Sequence, residues 1–329
     1  MGLRVGVIGT GRLGAQHVRV LKRIPEVDDV ACYDIVEERS RETAQKFGAT
    51  AFTDVDELLR KVDAVSVVVP TVNHKEVSLK ALESGAHLFV EKPIAASMLE
   101  AGQIVDAARK HERVLQIGHI ERFNAALRKA YPHVQNPSFI EIHRLAPFNM
   151  RGIDVSVVMD LMIHDLDLLG LFLGEAPLDI RAKGAAVLTD GPDIVNARLE
   201  YRQGCVANLT ASRVSMEPMR KVRIFSSRNY LSIDLFKGTV KHCRKGESFD
   251  AGVARIKQDG AALGDLSMSD FLHIEESRIE GEEPLFDELQ SFCHTIMNGK
   301  TPPVTGEDGL KALEIATEIQ RIVSQEPAR

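Results

Sequence analysis

Three groups of residues have the types and spacings that chemistry needs. The first is Gly9-Thr10-Gly11-Arg12-Leu13-Gly14, a G-x-G-x-x-G set that follows the apolar run at 3–8. Glycines in such a turn let it close tightly, let the backbone approach a pyrophosphate, and let the next helix pack close to the strand. The helix start then offers unpaired N–H groups and its positive dipole end to phosphates. Asp34 stands twenty residues beyond Gly14, where the next apolar run ends. A carboxylate there can accept both ribose hydroxyls and repels a 2′-phosphate, which favours NAD over NADP. Arg39 lies close enough in sequence to keep NADP use open. A glycine-rich turn and a solvated acid are the plain alternatives, and the strand-turn-helix setting weighs against them.

The second group is Val90-Glu91-Lys92-Pro93, again at the end of an apolar run. Ligands of open α/β sheets bind at the carboxyl ends of the strands, and the proline restricts Lys92 to extended conformations. In isolation an ordinary loop cation would look the same. The third group is Asp160, His164 and Asp167, spaced i, i+4 and i+7 in an apolar stretch, so that a regular helix puts them on one stripe. Polar groups on such a stripe are costly to bury unless they bond one another. A histidine bracketed by carboxylates is a candidate general base, because one acid can fix its tautomer and support its imidazolium form.

The elements that must position these groups follow from hydrophobic period. Apolar β-rich runs at 3–8, 30–33, 64–69, 87–90 and 114–117 alternate with helical stretches, one of which places Leu13, His17, Leu21 and Ile24 on a shared face. Nearly continuous apolar strands alternating with helices predict a parallel sheet covered on both faces. After about residue 121 the rhythm changes. A helix near 124–130, a strand at 139–145 and a longer helix over 157–173 precede strand-like runs at 180–188, 194–201, 205–212, 222–226, 230–235 and 239–242. Strands in series predict a mostly antiparallel sheet. Helical patterns at 285–298 and 307–324 follow, and 246–269 reads as a long loop or arm.

Length and composition narrow the class. At 329 residues the chain suits two domains, cut near residue 120 into 1–120 and 121–329. Its 44% hydrophobic and 27% charged residues exclude a mainly disordered chain. A net charge of −6 gives no footprint of a nucleic-acid binder. Cys32, Cys205, Cys243 and Cys293 lie too far apart for a zinc pattern or a disulfide framework, so no metal is expected. No cleavable signal pattern is visible and no apolar run nears the roughly 20 residues of a membrane span, so a soluble, cytoplasmic protein is expected.

Together the glycine turn, Pro70-Thr71-Val72-Asn73-His74, the Glu91-Lys92-Pro93 corner and the Asp160/His164/Asp167 helix resemble the Gfo/Idh/MocA oxidoreductases. The resemblance runs on through Glu283-Pro284-Leu285 and Gly306-Glu307-Asp308-Gly309-Leu310. It implies an α/β fold, with a doubly wound Rossmann sheet followed by an α+β domain whose open sheet makes subunit contacts in a homodimer or homotetramer. It implies catalysis by Lys92 and His164 at the reacting carbon, with Asp160 beside them. The implied cofactor contacts are Gly9, Gly11, Arg12, Leu13, Gly14, Asp34, Pro70, Thr71, Asn73, His74, Glu91 and Lys92.

A narrower likeness involves Ile117-Gly118-His119-Ile120-Glu121-Arg122-Phe123-Asn124, Ala211-Ser212-Arg213-Val214-Ser215 and Arg220-Lys221-Val222-Arg223-Ile224-Phe225. These segments are similar to the branch that contains UDP-N-acetylglucosamine 3-dehydrogenases, with Ala125 where proline is common. That likeness implies oxidation of a nucleotide sugar at C3 on the way to a diamino lipid A sugar. His119, Arg122, Asn124, Asp160, His164, Arg213 and Arg220 would then contact the substrate. An inositol or free-sugar dehydrogenase, an NADP-dependent keto-sugar reductase and a non-catalytic NAD(P)-sensing regulator stay open as alternatives.

Overall fold

The computed structural model describes residues 2–150, 155–246, 249–250, 253–254, 271–281 and 283–325. They form two compact units: Met1–Phe123 with Glu283–Thr317, and Asn124–Glu282 with Glu318–Arg329.

The first unit holds a six-stranded parallel sheet of order β3-β2-β1-β4-β5-β6, built from β1 (Leu3–Ile8), β2 (Val27–Tyr33), β3 (Thr50–Phe52), β4 (Ala64–Val67), β5 (His87–Glu91) and β6 (Leu115–Gly118). Its connecting helices are α1 (Arg12–Leu21), α2 (Glu37–Phe47), α3 (Val55–Leu59), α4 (His74–Glu83) and α5 (Met98–Lys110). Strand order reverses beside β1, which puts a ligand crevice at the carboxyl ends of β1 and β4. Central strands such as β4 and β6 are buried along their whole length, which explains their unbroken apolar sequences. Three-residue β3 is too short to show a period, and sequence reading passed over it.

The second unit opens with α6 (Ala125–Ala130) and carries α7 (Ile163–Leu173). Its eight-stranded sheet has the order β14-β13-β12-β11-β7-β10-β9-β8. The strands are β7 (Phe139–Leu145), β8 (Asp179–Ala185), β9 (Ile194–Glu200), β10 (Val206–Ser212), β11 (Met219–Ser226), β12 (Asn229–Asp234), β13 (Thr239–Lys245) and β14 (Leu272–Arg278). Among the described strands of this sheet only β7 and β10 pair in parallel. Alternate residues of β7 are buried, Ile140, Ile142 and Arg144, so one face of the sheet is covered and the other is open. Strand β14 was not anticipated. Its Leu-His-Ile-Glu-Glu-Ser-Arg sequence is mostly exposed and is matched to β13 through Lys241–Glu276 (3.1 Å) and Arg244–Glu275 (3.0 Å). Charge pairing across strands replaces the apolar alternation that reveals a strand in sequence. Most of the 246–269 segment lies outside the described residues.

The cut near residue 120 needs one amendment. Helix α8 (Pro284–Asn298) and most of α9 (Gly306–Gln325) belong with the parallel sheet. Leu289, Phe292 and Cys293 enter one core with Val18, Leu21 and Phe89, and Phe292 meets Phe89 edge-on at 5.8 Å. Glu283, just before α8, pairs with Arg19 and Arg23 of the α1 region. On the far edge the Ile117 N–H donates to the Val304 carbonyl (3.2 Å), and Gly309 lies so close to β6 that a Cβ would sit 2.9 Å from Ile117 Cγ1. A cut drawn where the period changes cannot detect a segment that returns.

Candidate active site

The three glycines of the turn differ in what demands them. Gly9 adopts φ +92°, and a Cβ there would press on the Val68 carbonyl at 2.7 Å. At Gly14 a Cβ would fall 1.8 Å from the Gly9 carbonyl oxygen, so the first turn of α1 can lie on the strand end only without a side chain. A Cβ on Gly11 would meet nothing within 4 Å. The protein's own packing therefore does not require Gly11, whereas a pyrophosphate approaching the backbone does. Gly11 is also the N-cap of α1 and provides no side-chain cap, leaving first-turn N–H groups for an anion. Arg12 and Leu13 are exposed beside it. These features fit a dinucleotide.

Asp34, 8% exposed, follows β2 and accepts bonds from Thr10 N (2.7 Å) and Val36 N (2.9 Å). Those bonds tie Asp34 to the glycine turn and leave carboxylate lone pairs for hydroxyl donors. Pro70 is exposed, and Thr71 and Asn73 lie in a 3-10 turn, Thr71–Asn73, after the end of β4.

At the second corner the Lys92–Pro93 bond is cis. His74, expected to meet the cofactor, is instead 1% exposed beneath this corner, with Nδ1 2.9 Å from the Pro93 carbonyl and Nε2 3.0 Å from the Val69 carbonyl. Burial pushes its imidazole below the ordinary value, although both carbonyls act in the opposite sense. The ring braces two strand ends from within. Glu91 also has a local partner that sequence reading missed: His17 Nε2 lies 3.2 Å from its Oε1. His17 had been placed on an apolar helix face, and nothing in its spacing identified a partner.

In the second unit, the helix expected over 157–173 is not uniform. Val158–Met162 forms a π turn, and α7 follows directly. A π turn closes over five residues, so Asp160 lies where the helix departs from the regular 3.6-residue pitch, while His164 follows in α7. His164 and Asp167 stay within α7, His164 partly exposed and Asp167 buried. The neighbouring Asp165 was overlooked. It is 1% exposed and takes a two-toothed contact from Arg144 of β7, with Nη2 to Oδ1 at 2.7 Å and Nε to Oδ2 at 3.1 Å. An arginine in phase with Ile140 and Ile142 was the available signal, because a charge on the buried face of a strand requires a partner.

The expected substrate contacts divide. Arg122 holds the start of α9: its Nη1 donates to the Pro303 carbonyl (3.0 Å), and its Nη2 lies 3.3 Å from Asp308 Oδ1. Burial would raise the Asp308 pKa, but the Arg122 charge and the Thr305 donors bring it below the ordinary carboxylate value. Asn124 is the N-cap of α6, accepting from Ala126 N (3.1 Å) while its Nδ2 donates to the Leu235 carbonyl (3.0 Å). Both side chains have structural bonds within their own unit. His119 is 1% exposed at the end of β6. Arg213 donates to the Val155 carbonyl, and its backbone N–H donates to the Asp193 carbonyl. Arg220 is exposed and pairs in register with Arg144, in phase with buried Val222 and Ile224. Lys221 is one residue out of phase, so it belongs to the opposite, open face opposite His143.

Comparison with known proteins agrees with this architecture. Residues 3–119 match the oxidoreductase family model described as an NAD-binding Rossmann fold, and residues 107–232 match the Gfo/Idh/MocA C-terminal domain. The chain is 40% identical over 264 residues to UDP-N-acetylglucosamine 3-dehydrogenase of Acidithiobacillus ferrooxidans, covering 79% of this chain and 83% of that one. A solved structure of that dehydrogenase superposes with a TM-score of 0.87 at 34% identity, over 98% of each chain. Myo-inositol 2-dehydrogenase of Thermotoga maritima is 27% identical over 330 residues, covering 94% of this chain and 93% of that one. Among the described residues no helix is long and apolar enough to cross a membrane. With an NAD-binding Rossmann sheet and the family's second domain in one chain, the protein belongs to the Gfo/Idh/MocA oxidoreductases.

Proposed function

We propose that this oxidoreductase removes hydride from a secondary hydroxyl of a sugar, the C3 hydroxyl of a UDP-N-acetylhexosamine, and delivers it to NAD. The observation that carries this reading is the 40% identity to a UDP-N-acetylglucosamine 3-dehydrogenase, against 27% to the inositol enzyme. When bound, NAD supplies the hydride acceptor. Gly9 and Gly14 shape the turn, Gly11 gives its pyrophosphate a close backbone approach, and Asp34 takes the ribose hydroxyls. His164 accepts the hydroxyl proton, since an imidazole titrates near neutrality. Lys92 hydrogen-bonds the reacting oxygen and stabilises the charge that develops there. Asp160 orients His164 or relays its proton. Each role rests on the family motif and on the local geometry of its own unit.

The substrate diphosphate needs cations, which this reading assigns to Arg213 and Arg220, with Arg122, paired to Asp308, as a further candidate. The product, a 3-keto nucleotide sugar, has the carbonyl that a transamination toward a diamino lipid A sugar would consume. The protein would work in the cytoplasm as a homodimer or homotetramer that uses the open sheet face of the second unit.

The test is a panel of UDP-N-acetylglucosamine, free N-acetylglucosamine and myo-inositol, each with NAD and NADP, followed by reduced cofactor absorbance. Turnover is expected with the UDP-sugar and NAD. Reaction of uncharged polyols alone would overturn the nucleotide-sugar reading. His164→Ala is expected to lower kcat by about 10²–10⁴-fold while NAD binding persists. Arg220→Ala is expected to raise KM for the UDP-sugar and leave KM for a free sugar unchanged.

A further inference from the structure

We propose that His17 is a positioning residue for Lys92 and acts through Glu91; the proposal rests on the reading of Lys92 as the partner of the reacting oxygen. His17 lies on α1 with 0% exposure, among Val18, Leu21 and the other apolar side chains of that helix face. An aliphatic side chain would serve packing there, and an imidazole so deeply buried is costly unless its nitrogens are engaged. Nδ1 bonds with Ser66 Oγ at 2.9 Å, itself fully buried on β4, and Nε2, without an aligned hydrogen bond, faces Glu91 Oε1 across 3.2 Å at the end of β5. The ring also meets Phe89 edge-on at 5.7 Å. A carboxylate only accepts, so a ring proton on Nε2 would face Glu91 and leave Nδ1 to accept the Ser66 hydroxyl proton.

Glu91 passes this constraint on. Its Oε2 accepts the backbone N–H of Lys92 at 3.3 Å. On the other side its carboxylate rests on Gly118 of β6, where a Cβ would stand 3.0 Å from Oε2. The carboxylate is thus held between a helix and a strand, and the Lys92 peptide hangs from it. Ser66, His17 and Glu91 link β4, α1 and β5 to the residue whose ammonium group must be aimed. Misplacement of a reacting group by about 1 Å can cost a hundredfold in rate, so a fixed support under Lys92 has a catalytic consequence without touching substrate.

The experiment uses the full-length protein with four changes. His17→Asn keeps an amide near the Ser66 position and withdraws the ring nitrogen that faces Glu91. His17→Gln reaches toward Glu91. Glu91→Ala cuts the link to Lys92, and Lys92→Met is the control. Three quantities are measured: kcat and KM on the fastest substrate of the panel, NAD affinity by fluorescence, and the acylation rate of Lys92 by mass spectrometry. The last needs no substrate. His17→Asn is expected to lower kcat by about ten- to a hundredfold, change NAD affinity less than about twofold, and shift Lys92 acylation severalfold. His17→Gln should recover most of the loss. The double variant His17→Asn/Glu91→Ala should lose no more than Glu91→Ala alone, because both act on one link. Equal losses in the Asn and Gln variants with unchanged acylation would reduce His17 to core packing and overturn the proposal. Loss in Lys92→Met without loss in His17→Asn would overturn the positioning role alone. Full turnover in Lys92→Met would remove the Lys92 reading and this proposal with it.

Discussion

In the first unit the glycine turn and the Lys92–Pro93 corner sit at the ends of strands buried on both faces. In the second unit His164 rides on a helix beside a buried ion pair that joins α7 to β7. The two regions fix their functional groups by different means. Around the glycine turn the constraint is the course of the backbone, set by a positive φ at Gly9 and an atom-to-atom fit at Gly14. Around α7 and the β8–β9 loop it is buried charge. Asp165 is matched to Arg144, and Asp193, with 0% exposure, accepts from Val187 N, Leu188 N and Thr189 N at 2.7–3.0 Å. Backbone devices fail through sterics and are indifferent to pH, whereas buried charges fail when a partner or a proton changes.

The contrast is broken most severely by removing one member of the buried pair. Arg144→Met or Asp165→Leu should destabilise the second unit by about 3–5 kcal/mol in urea unfolding, because an uncompensated charge is left inside. The double change should recover much of that loss. If the single changes cost no more than the double, the pair is not a mutual requirement.

A smaller effect separates the glycines. Gly14→Ala should cost the first unit about 3 kcal/mol, since its Cβ cannot fit against the Gly9 carbonyl. Gly11→Ala should leave stability within about 1 kcal/mol and still weaken NAD binding about tenfold or more, as measured by fluorescence titration. Equal stability losses would show that Gly11 is required by folding.

The smallest effect sharpens the electrostatic side. Burial would raise the Asp193 pKa, but the N–H groups of Leu188 and Val187 and the N–H and hydroxyl groups of Thr189 hold it at about 2. A depressed carboxylate stabilises the fold above its unfolded value and loses that contribution as pH falls through the folded one. At about 1.4 kcal/mol per unit, wild type should lose about 2 kcal/mol between pH 6 and pH 2 that Asp193→Asn does not lose. Parallel pH profiles in urea unfolding would contradict this.

The same contrast explains what could be read in advance. Glycine and proline announce backbone constraints by type, so the turn at 9–14 and the corner at 92–93 were legible, as were the continuous apolar strands between them. Charge pairing depends on which strand neighbours which helix, and a one-dimensional pattern does not contain that. Asp165 therefore passed unnoticed beside His164, as did the bonds of Arg122 to Asp308 and of Asn124 to the start of α6. His17 was hidden by agreement: its spacing matched an apolar face so well that its chemistry drew no notice. The π turn at Val158–Met162 escaped because periodicity assumes one pitch throughout a helix.

The return of 283–317 to the first unit has a consequence for how the chain is made. Leu289, Phe292 and Cys293 complete the core around Val18, Leu21 and Phe89, yet they leave the ribosome long after residue 123. At roughly 5–20 residues per second the wait is on the order of ten to thirty seconds. Throughout it the first unit lacks part of its core, so its folding is completed only after most of the chain has been made.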